Sequence, residues 1–290
     1  KEQSVPVKNM ILIKTEEKYF TQLIYGTRFL EKYKNVQVYH VSKKEFDHGM
    51  TRRMGVQKSQ SPVFVMMTQD AMPADNFLLE QLTMHLSGDV AVAYARQLPT
   101  KDCNVVEAYT RSFNYPAKSS VKSKEDLRRL GIKTYFCSNV CAAYRRDIYE
   151  ELGGFVRHTI FNEDMIFAAG AVKAGYSIAY EAGAQVIHSH NYTHMQQLHR
   201  NFDLAVSQAQ HPEVFAELSS EAEGKKMVLE VTRYLKKERM LYKLPHFYMQ
   251  SAFKYIGYLL GKNYKRLPKR WVLSLTSNKD YWKYAGQKGH

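Results

Sequence analysis

The segment Val63–Met67 is an uninterrupted run of five apolar residues that follows Ser61-Pro62. A strand has this continuous apolar character when both of its faces are covered, as in a parallel sheet flanked by helices. Further apolar runs at 36–41 and 90–94 are separated from it by segments with helical spacing. This alternation predicts an α/β layer fold with a mainly parallel sheet. The polar, aromatic stretch 101–131 is expected to be an inserted loop or an acceptor-side segment and not part of the core.

The charge of this chain is concentrated near its C-terminus. Of the 290 residues, 44% are hydrophobic and 24% are charged, as in an ordinary folded protein, and the formal net charge is +14. Residues 231–290 hold 14 Lys and Arg against two acidic residues, together with twelve aromatic residues. The remaining 230 residues are close to neutral. We therefore expect a balanced body with a basic, aromatic-rich helical tail.

The cysteines and the hydropathy indicate the compartment. Cys103, Cys137 and Cys141 are odd in number and form neither a disulfide framework nor a paired metal site, which favours a reducing, cytoplasmic location. No uncharged apolar stretch reaches the roughly 18 residues that a transmembrane helix needs.

Asp70 follows the apolar run at Val63–Met67 directly, in Thr68-Gln69-Asp70-Ala71. In open α/β sheets, ligands bind beyond the carboxyl ends of the strands. A carboxylate there can hold Mg²⁺ or Mn²⁺ against a diphosphate, because these cations prefer oxygen ligands. The structural alternative is that Asp70 only caps the next helix.

The motif Asn162-Glu163-Asp164 opens a predicted helix, with Asn162 as its N-cap. A carboxylate beside a sheet edge can act as a general base that deprotonates a hydroxyl group. Carboxylates are also common in the first turn of a helix for dipole reasons alone, and the spacing does not separate the two interpretations.

His188-Ser189-His190 ends another apolar run, and His194 follows. The three histidines lack the His-Glu-x-x-His arrangement of zinc hydrolases, so we expect a strand-end pair in which one ring meets a metal or a diphosphate. On the next helix, Arg200 is placed to neutralise a departing diphosphate.

Four segments carry these motifs: Glu45-Phe46-Asp47-His48-Gly49-Met50-Thr51-Arg52, Thr68-Gln69-Asp70-Ala71-Met72-Pro73-Ala74-Asp75, Asn162-Glu163-Asp164 and His188-Ser189-His190-Asn191-Tyr192. Together with 257–264 they resemble the family 2 glycosyltransferases with the GT-A fold, and in particular the bacterial dTDP-rhamnosyltransferases. The resemblance spans roughly residues 8 to 284. It implies a GT-A catalytic domain over 1–212 and a basic helical region over 213–290.

The resemblance implies an inverting transfer of L-rhamnose from dTDP-β-L-rhamnose to a cell-envelope polysaccharide or an undecaprenyl-linked acceptor. The implied cofactor is Mg²⁺ or Mn²⁺, bound by Asp70, His188 and His190, and the implied catalytic base is Asp164. The donor and its diphosphate are expected to contact Arg52, Gln69, Asp70, Gln197 and Arg200. The acceptor is expected beside Glu163 and Tyr192. Alternatives are a transferase for another dTDP- or UDP-sugar, and a non-catalytic relative that binds membranes or nucleic acid.

Three departures from the family pattern concern the nucleotide. The chain starts after the family's first strand, so we expect that an N-terminal piece is missing from this sequence. Lys14-Thr15-Glu16-Glu17 stands where relatives carry Asp-Ser-x-Ser, and Arg53 replaces a frequent Asn. Recognition of the base is therefore the least determined part of the site.

The basic tail has three interpretations. Basic helices with aromatic faces lie in the headgroup region of anionic membranes, so residues 231–290 are expected to hold the protein on the inner face of the cell membrane. The second interpretation is a helical hairpin packed on the body with a solvated basic face. Nucleic-acid binding is the third, and we expect none because no such motif is present. The resemblance also allows a homodimer through these helices.

Overall fold

The computed structural model describes residues 3–216, 218 and 221–284. The strands of this part are β1 (Met10–Lys14), β2 (Val36–His40), β3 (Val63–Met67), β4 (Met72–Pro73), β5 (Val90–Leu98), β6 (Ser120–Lys122), β7 (Cys141–Arg145) and β8 (Ser177–Ile187). Its α-helices are α1 (Glu17–Ile24), α2 (Phe29–Lys32), α3 (His48–Gln57), α4 (Leu78–Thr83), α5 (Val105–Asn114), α6 (Leu127–Leu130), α7 (Arg146–Glu151), α8 (Glu163–Lys173), α9 (His194–Gln210), α10 (Pro212–Phe215), α11 (Glu221–Lys237), α12 (Leu244–Lys262), α13 (Lys269–Leu275) and α14 (Lys279–Tyr284).

The strands form two sheets. β1 and β2 pair in parallel by themselves, and the larger sheet has the order β3-β7-β5-β8-β4, with β6 also paired to β8. β3, β5 and β8 run in one direction, as predicted, whereas β7 lies between β3 and β5 and is antiparallel to both. The sheet is therefore mixed at this place, because the chain returns beside β5 after a long excursion instead of crossing over by a helix.

Successive residues of β5 supply the two faces of the core. Val92 and Tyr94 pack in the cluster that contains buried residues of α8, while Ala93 and Ala95 pack with Leu78 of α4. The side chains of a strand alternate between its faces, so a strand covered on both sides is apolar throughout. This layering explains why the apolar runs of the sequence have no period of two.

Two segments differ from their predicted structure. The stretch 101–131, predicted to be a loop, contains α5 and β6, and the Asn104 side chain caps α5 by accepting a hydrogen bond from the Glu107 N–H at 2.9 Å. The segments 176–180 and 184–187, predicted to be two strands, belong to one long strand, β8 (Ser177–Ile187), with an irregular register opposite Ala95 and Arg96.

One edge of the larger sheet collects the polar segments of the sequence. Met67 at the end of β3 lies opposite Cys141 at the start of β7, and Leu98 at the end of β5 lies opposite Ile187 at the end of β8. The residues that follow β3 and β8 and those that precede β7 therefore meet at this edge. Asp70 and His188 are brought together in this way.

The C-terminal helices pack on the body through α9 and α12. A Cβ atom on Gly257 would lie 2.3 Å from the Leu198 carbonyl oxygen, and one on Gly261 would lie 2.3 Å from that of Phe202. The two glycines, one turn apart, thus let the α12 backbone touch α9. The proposed boundary between 212 and 213 falls at the first residue of α10 and stays a prediction.

The outer face of α12 is apolar. Its exposed residues include Tyr248, Met249, Tyr255, Ile256 and Leu259. Within the described residues, no helix is both long enough and apolar enough to span a bilayer. Residues 285–290, the end of the predicted basic tail, lie outside the described part of the chain.

We predict that Gly257→Ala destabilises the protein by about 1–3 kcal/mol, because the added methyl group forces α12 away from the Leu198 carbonyl. Thermal unfolding followed by circular dichroism measures the change. The control is Gly224→Ala in α11, where a Cβ meets nothing within 4 Å and the melting temperature should stay or rise. Equal melting temperatures for the two variants would contradict the close packing of α9 and α12.

Candidate active site

Asp70, His188 and His190 form a compact cluster at the sheet edge. The Asp70 Oδ2 atom lies 3.1 Å from His190 Nε2 and 3.5 Å from His188 Nε2. The two Nε2 atoms are 3.1 Å apart. The three side chains thus direct one oxygen and two nitrogens at one point, with all three atoms within 4.8 Å of one another. Residues 118 positions apart in the sequence supply this candidate metal site.

Gln97 sets the tautomer of His188. The guanidinium of Arg111 can only donate, and it contacts Gln97 Oε1, so this atom is the amide oxygen. His188 Nδ1 lies 2.9 Å from the same oxygen and must donate to it. The proton of a neutral His188 therefore sits on Nδ1, and Nε2 presents its lone pair to Asp70 and His190.

The protonation state of His188 agrees with this arrangement. Burial, with the nearby charge of Arg111, lowers the pKa of His188 to about 4 although Asp70 opposes the shift. A neutral imidazole is the form that binds metals. The environment therefore keeps His188 ready as a ligand at neutral pH.

Glu163 and Asp164 lie side by side at the start of α8, joined by Asn139. The Asn139 backbone N–H donates to Asp164 Oδ2 at 2.9 Å, and its side-chain amide donates to Glu163 Oε1 at 3.0 Å. Arg52 Nη1 pairs with the same Glu163 oxygen at 2.8 Å. The charge of Glu163 is thereby compensated, whereas that of Asp164 is not.

The two carboxyl groups consequently titrate differently. Burial and then the charge of Glu163 raise the pKa of Asp164 to about 7. For Glu163, burial opposes ionisation, but Arg52 and further donors hold its pKa below the usual value. Asp164 keeps part of its surface open to solvent, while Glu163 is buried. Two adjacent carboxylates with separated pKa values fit one charged, fixed group and one proton acceptor.

The motif from Glu45 to Arg52 places the partner of Glu163. Asp47 accepts hydrogen bonds from the N–H groups of Gly49 and Met50 and so caps α3. A Cβ on Gly49 would lie 1.8 Å from the Val156 carbonyl oxygen, so only glycine lets α3 approach that loop. Arg52, one turn further on, then reaches Glu163.

Aromatic rings and one guanidinium line the site on the side of α9. The Tyr192 ring stacks on His190, with 4.9 Å between the centroids. The exposed Arg200 guanidinium lies 5.6 Å from the Tyr192 ring and 4.7 Å from the Phe161 ring. Beside these side chains is a cavity of about 430 Å³, whose lining includes His48, Phe161, Tyr192, His199, Arg200 and Asn278.

The structure brings most of the predicted site residues together in two groups. Asp70, His188, His190 and Tyr192 are in contact, and Asp164, Glu163 and Arg52 form the second group. Burial of Glu163 and its bonds to Arg52 and Asn139 favour a positioning role over the direct acceptor contact predicted. Asn162 stands at the N-cap of α8 with φ of 63°, but its side chain donates to the Leu204 carbonyl instead of capping.

The remaining three predicted donor contacts, Gln69, Gln197 and Arg200, lie outside these two groups. Gln69 is exposed beside Asp70. Gln197 is buried on α9, where Asn201 donates to its side-chain and backbone oxygens. Arg200 lies one turn after Gln197 on α9, and its side chain is exposed.

Several residues of the site were not singled out from the sequence. They are Gln97 and Arg111, which orient His188, and Ser138 and Asn139, which precede β7. Gln97 donates to Ser138 Oγ at 3.0 Å. The histidine cluster, which Gln97 orients, is therefore linked to the carboxylate pair, which Asn139 binds, through the adjacent residues Ser138 and Asn139. A polar residue within the apolar strand β5 was the available signal for Gln97.

Comparison with known proteins identifies the family of this chain. A family model described as glycosyl transferase family 2 matches residues 17–153. The O-antigen chain rhamnosyltransferase RfbN of Salmonella typhimurium is 40% identical over 252 residues, which cover 86% of this chain and 80% of that protein. WbaN of Salmonella anatum, also an O-antigen chain rhamnosyltransferase, is 40% identical over 245 residues, or 83% and 78% of the two chains.

A solved structure shows the same fold. The mannosyltransferase PcManGT from Pyrobaculum calidifontis, in complex with GDP-Man and Mn²⁺, matches with a TM-score of 0.58 at 12% identity. The match covers 91% of this chain and 81% of that one. The predicted GT-A fold and the predicted family are both confirmed. The chain belongs to glycosyl transferase family 2 and is a glycosyltransferase.

Proposed function

We propose that this protein transfers L-rhamnose from dTDP-β-L-rhamnose to an O-antigen or related cell-envelope glycan, with inversion at the anomeric carbon. The observation that carries the proposal is the 40% identity with two O-antigen chain rhamnosyltransferases over most of the chain. The geometry supports it, since a candidate base and a candidate metal cluster lie at one sheet edge.

Inversion requires a single in-line displacement, so the site needs a base and no covalent nucleophile. Asp164 is the proposed base, because its pKa of about 7 matches the pH at which it must take a proton from the acceptor hydroxyl. The Asn139 N–H and the Met165 N–H each donate to one of its oxygens and fix the carboxylate. The paired Glu163 stays charged and raises the basicity of its neighbour.

The cluster of Asp70, His188 and His190 fits a divalent cation. One carboxylate oxygen and two imidazole nitrogens converge, and Gln97 holds the His188 tautomer that binds metals. We propose Mn²⁺ or Mg²⁺, with Mn²⁺ favoured because Mg²⁺ prefers a shell of oxygens alone. The solved fold neighbour was captured with GDP-Man and Mn²⁺. When bound, the cation offsets charge on the donor diphosphate.

Arg200 is the proposed second cation for the departing diphosphate. Its side chain is exposed, and the rings of Phe161 and Tyr192 hold the guanidinium beside the histidine cluster. A guanidinium fixed before the reaction stabilises developing charge without reorganisation. Tyr192 connects the two positive sites, because its ring also stacks on His190.

We predict that Asp164→Asn lowers the transfer rate by about 10²–10⁴ while donor binding persists, because the variant cannot accept the acceptor proton. The wild-type rate should rise with pH as Asp164 loses its proton near pH 7, and the variant should lack this ionisation. Transfer of labelled rhamnose from dTDP-rhamnose to membranes of a strain lacking this gene measures the rate.

The matched control is Asp147→Asn. Asp147 is the second residue of α7, as Asp164 is of α8, but it pairs with Arg145 on the surface. Its variant should transfer at the wild-type rate. Unchanged turnover in Asp164→Asn would exclude Asp164 as the base, and turnover of another nucleotide sugar in place of dTDP-rhamnose would correct the donor.

We predict that Asp70→Asn weakens Mn²⁺ binding by at least the roughly 10–100-fold seen for changes around metal ligands, because it removes the one charged ligand. Titration with Mn²⁺, with free ion counted by electron paramagnetic resonance, measures the affinity in the presence of dTDP. Asp75→Asn is the control, since the Asp75 side chain accepts a hydrogen bond from the Phe77 N–H in the same loop and an asparagine oxygen can do the same. Equal affinities in both variants would refute the site.

We also propose that the C-terminal helices bind the cytoplasmic face of the cell membrane peripherally. The exposed face of α12 is apolar and aromatic, as shown by Tyr248, Tyr255, Ile256 and Leu259, and α12 contains no acidic residue. Basic residues flank this helix, and 231–290 carry 14 Lys and Arg against two acids. An apolar helix face bordered by cations matches the surface of an anionic bilayer.

We predict that the protein floats with phosphatidylglycerol-rich vesicles and not with pure phosphatidylcholine, and that Ile256→Ser reduces binding about tenfold through lost burial of its side chain. Leu229→Ser on α11 is the control, as it removes an exposed aliphatic residue from the neighbouring helix. Equal binding to both lipids would refute the proposal. A dimer that protects Ile256 would assign this face to a second copy, and binding only to an oligonucleotide would assign the tail to nucleic acid.

A further inference from the structure

The cavity of about 430 Å³ beside Arg200 joins the body to the C-terminal helices. On the body side its lining includes Tyr192, which stacks on His190, and His48, whose Nδ1 lies 3.1 Å from Arg52. Tyr192 thus connects the cavity to the histidine cluster, and His48 connects it through Arg52 to Glu163. On the opposite side, Asn278 lines it from the turn between α13 and α14.

This turn is held against α9 by two polar residues. Asp203 is buried, and its two oxygens accept hydrogen bonds from Thr276 Oγ1 at 2.6 Å and from the Ser277 N–H at 2.8 Å. His199 Nδ1 donates to the Leu275 carbonyl at 2.8 Å. A buried carboxylate is costly unless such donors satisfy it, so Asp203 fixes where the turn lies.

The hydrogen bonds of the lining leave specific groups for a ligand. Asn278 Oδ1 accepts from the Tyr281 N–H, and Gln196 Oε1 accepts from the Thr193 N–H. The side-chain NH₂ groups of these two residues have no hydrogen-bond partner among the residues that the structure describes. His199 presents Nε2 as an acceptor, because its Nδ1 donates.

We propose that this cavity holds the sugar of the acceptor and that Asn278 of the C-terminal turn recognises one of its hydroxyl groups. The proposal rests on the proposed function, because it assigns the acceptor side of that transfer. Two amide donors and a ring acceptor beside the rings of Phe161 and Tyr192 suit a ligand with many hydroxyl groups on a compact ring. The volume lies within the roughly 300–1,000 Å³ of ligand pockets.

The test uses Asn278→Asp in the full chain. An aspartate still accepts the Tyr281 N–H and caps α14, so the fold is kept, but the amide donor is lost. The matched control is Asn263→Asp, a second asparagine of the tail, whose amide donates to the Leu259 carbonyl of its own helix. The probes are the methyl glycosides of galactose, mannose, glucose and rhamnose, observed by saturation-transfer NMR.

The wild-type protein and Asn263→Asp should bind at least one glycoside with equal affinity, and Asn278→Asp should bind it about tenfold more weakly, as for one lost hydrogen bond in a pocket. Binding of no glycoside, or equal binding by all three proteins, overturns the proposal. Transfer of labelled rhamnose from dTDP-rhamnose to membranes by the wild-type protein is measured separately. Its absence counts against the proposed function, whatever the glycosides show.

Discussion

The buried pair of carboxylates at Glu163 and Asp164 determines what the surrounding segments must supply. Removing the partner of a buried ion pair costs about 3–5 kcal/mol, so Glu163 requires Arg52 to be in place whenever the protein is folded. That requirement extends to Asp47 and Gly49, which fix α3, and to Asn139, which binds both carboxylates. The charge that makes Asp164 a better base is thus maintained by residues that contact no substrate.

The main elements of the fold could be predicted from the sequence. The strand Val63–Met67 has the predicted bounds, but it lies at an edge of the sheet and Phe64 is its one buried residue, so the expected cover on both faces is found in β5 instead. The helix His194–Gln210 also forms where the sequence places the helix that carries Arg200. The direction of β7 could not be predicted, since a short apolar run looks the same in either orientation. Within 101–131, α5 was missed although Val106, Tyr109 and Phe113 have helical spacing and Asn104 is an N-cap residue, because the polar surroundings of the segment favoured a loop.

The site residues that could be predicted are polar residues placed directly after an apolar strand or at the start of a helix. Asp70, His188, His190 and Asp164 follow apolar strands or open a helix, and motif resemblance connected them. Gln97 is a polar residue within an apolar strand, but its role could not be predicted because its partner His188 lies 91 positions away in the sequence. Asn139 carries no local signal, and its partner Asp164 lies 25 positions away. Likewise, the partnership of Arg52 with Glu163, over more than one hundred positions, exists only in the folded chain.

The antiparallel direction of β7 has a consequence for how this protein varies. The chain leaves the site edge after β5 and returns to the same edge at the start of β7, so residues 99–140 form one excursion with both ends anchored. Lengthening such a loop adds little closure entropy, about 0.6 kcal/mol per doubling. Gln97 and Asn139 lie close to its two ends. Arg111, which contacts Gln97, and the core residues Tyr115, Ile132 and Tyr135 lie within it, so only the surface positions of the excursion are free to vary. New binding surfaces can therefore arise beside the reaction centre while the centre itself keeps its geometry.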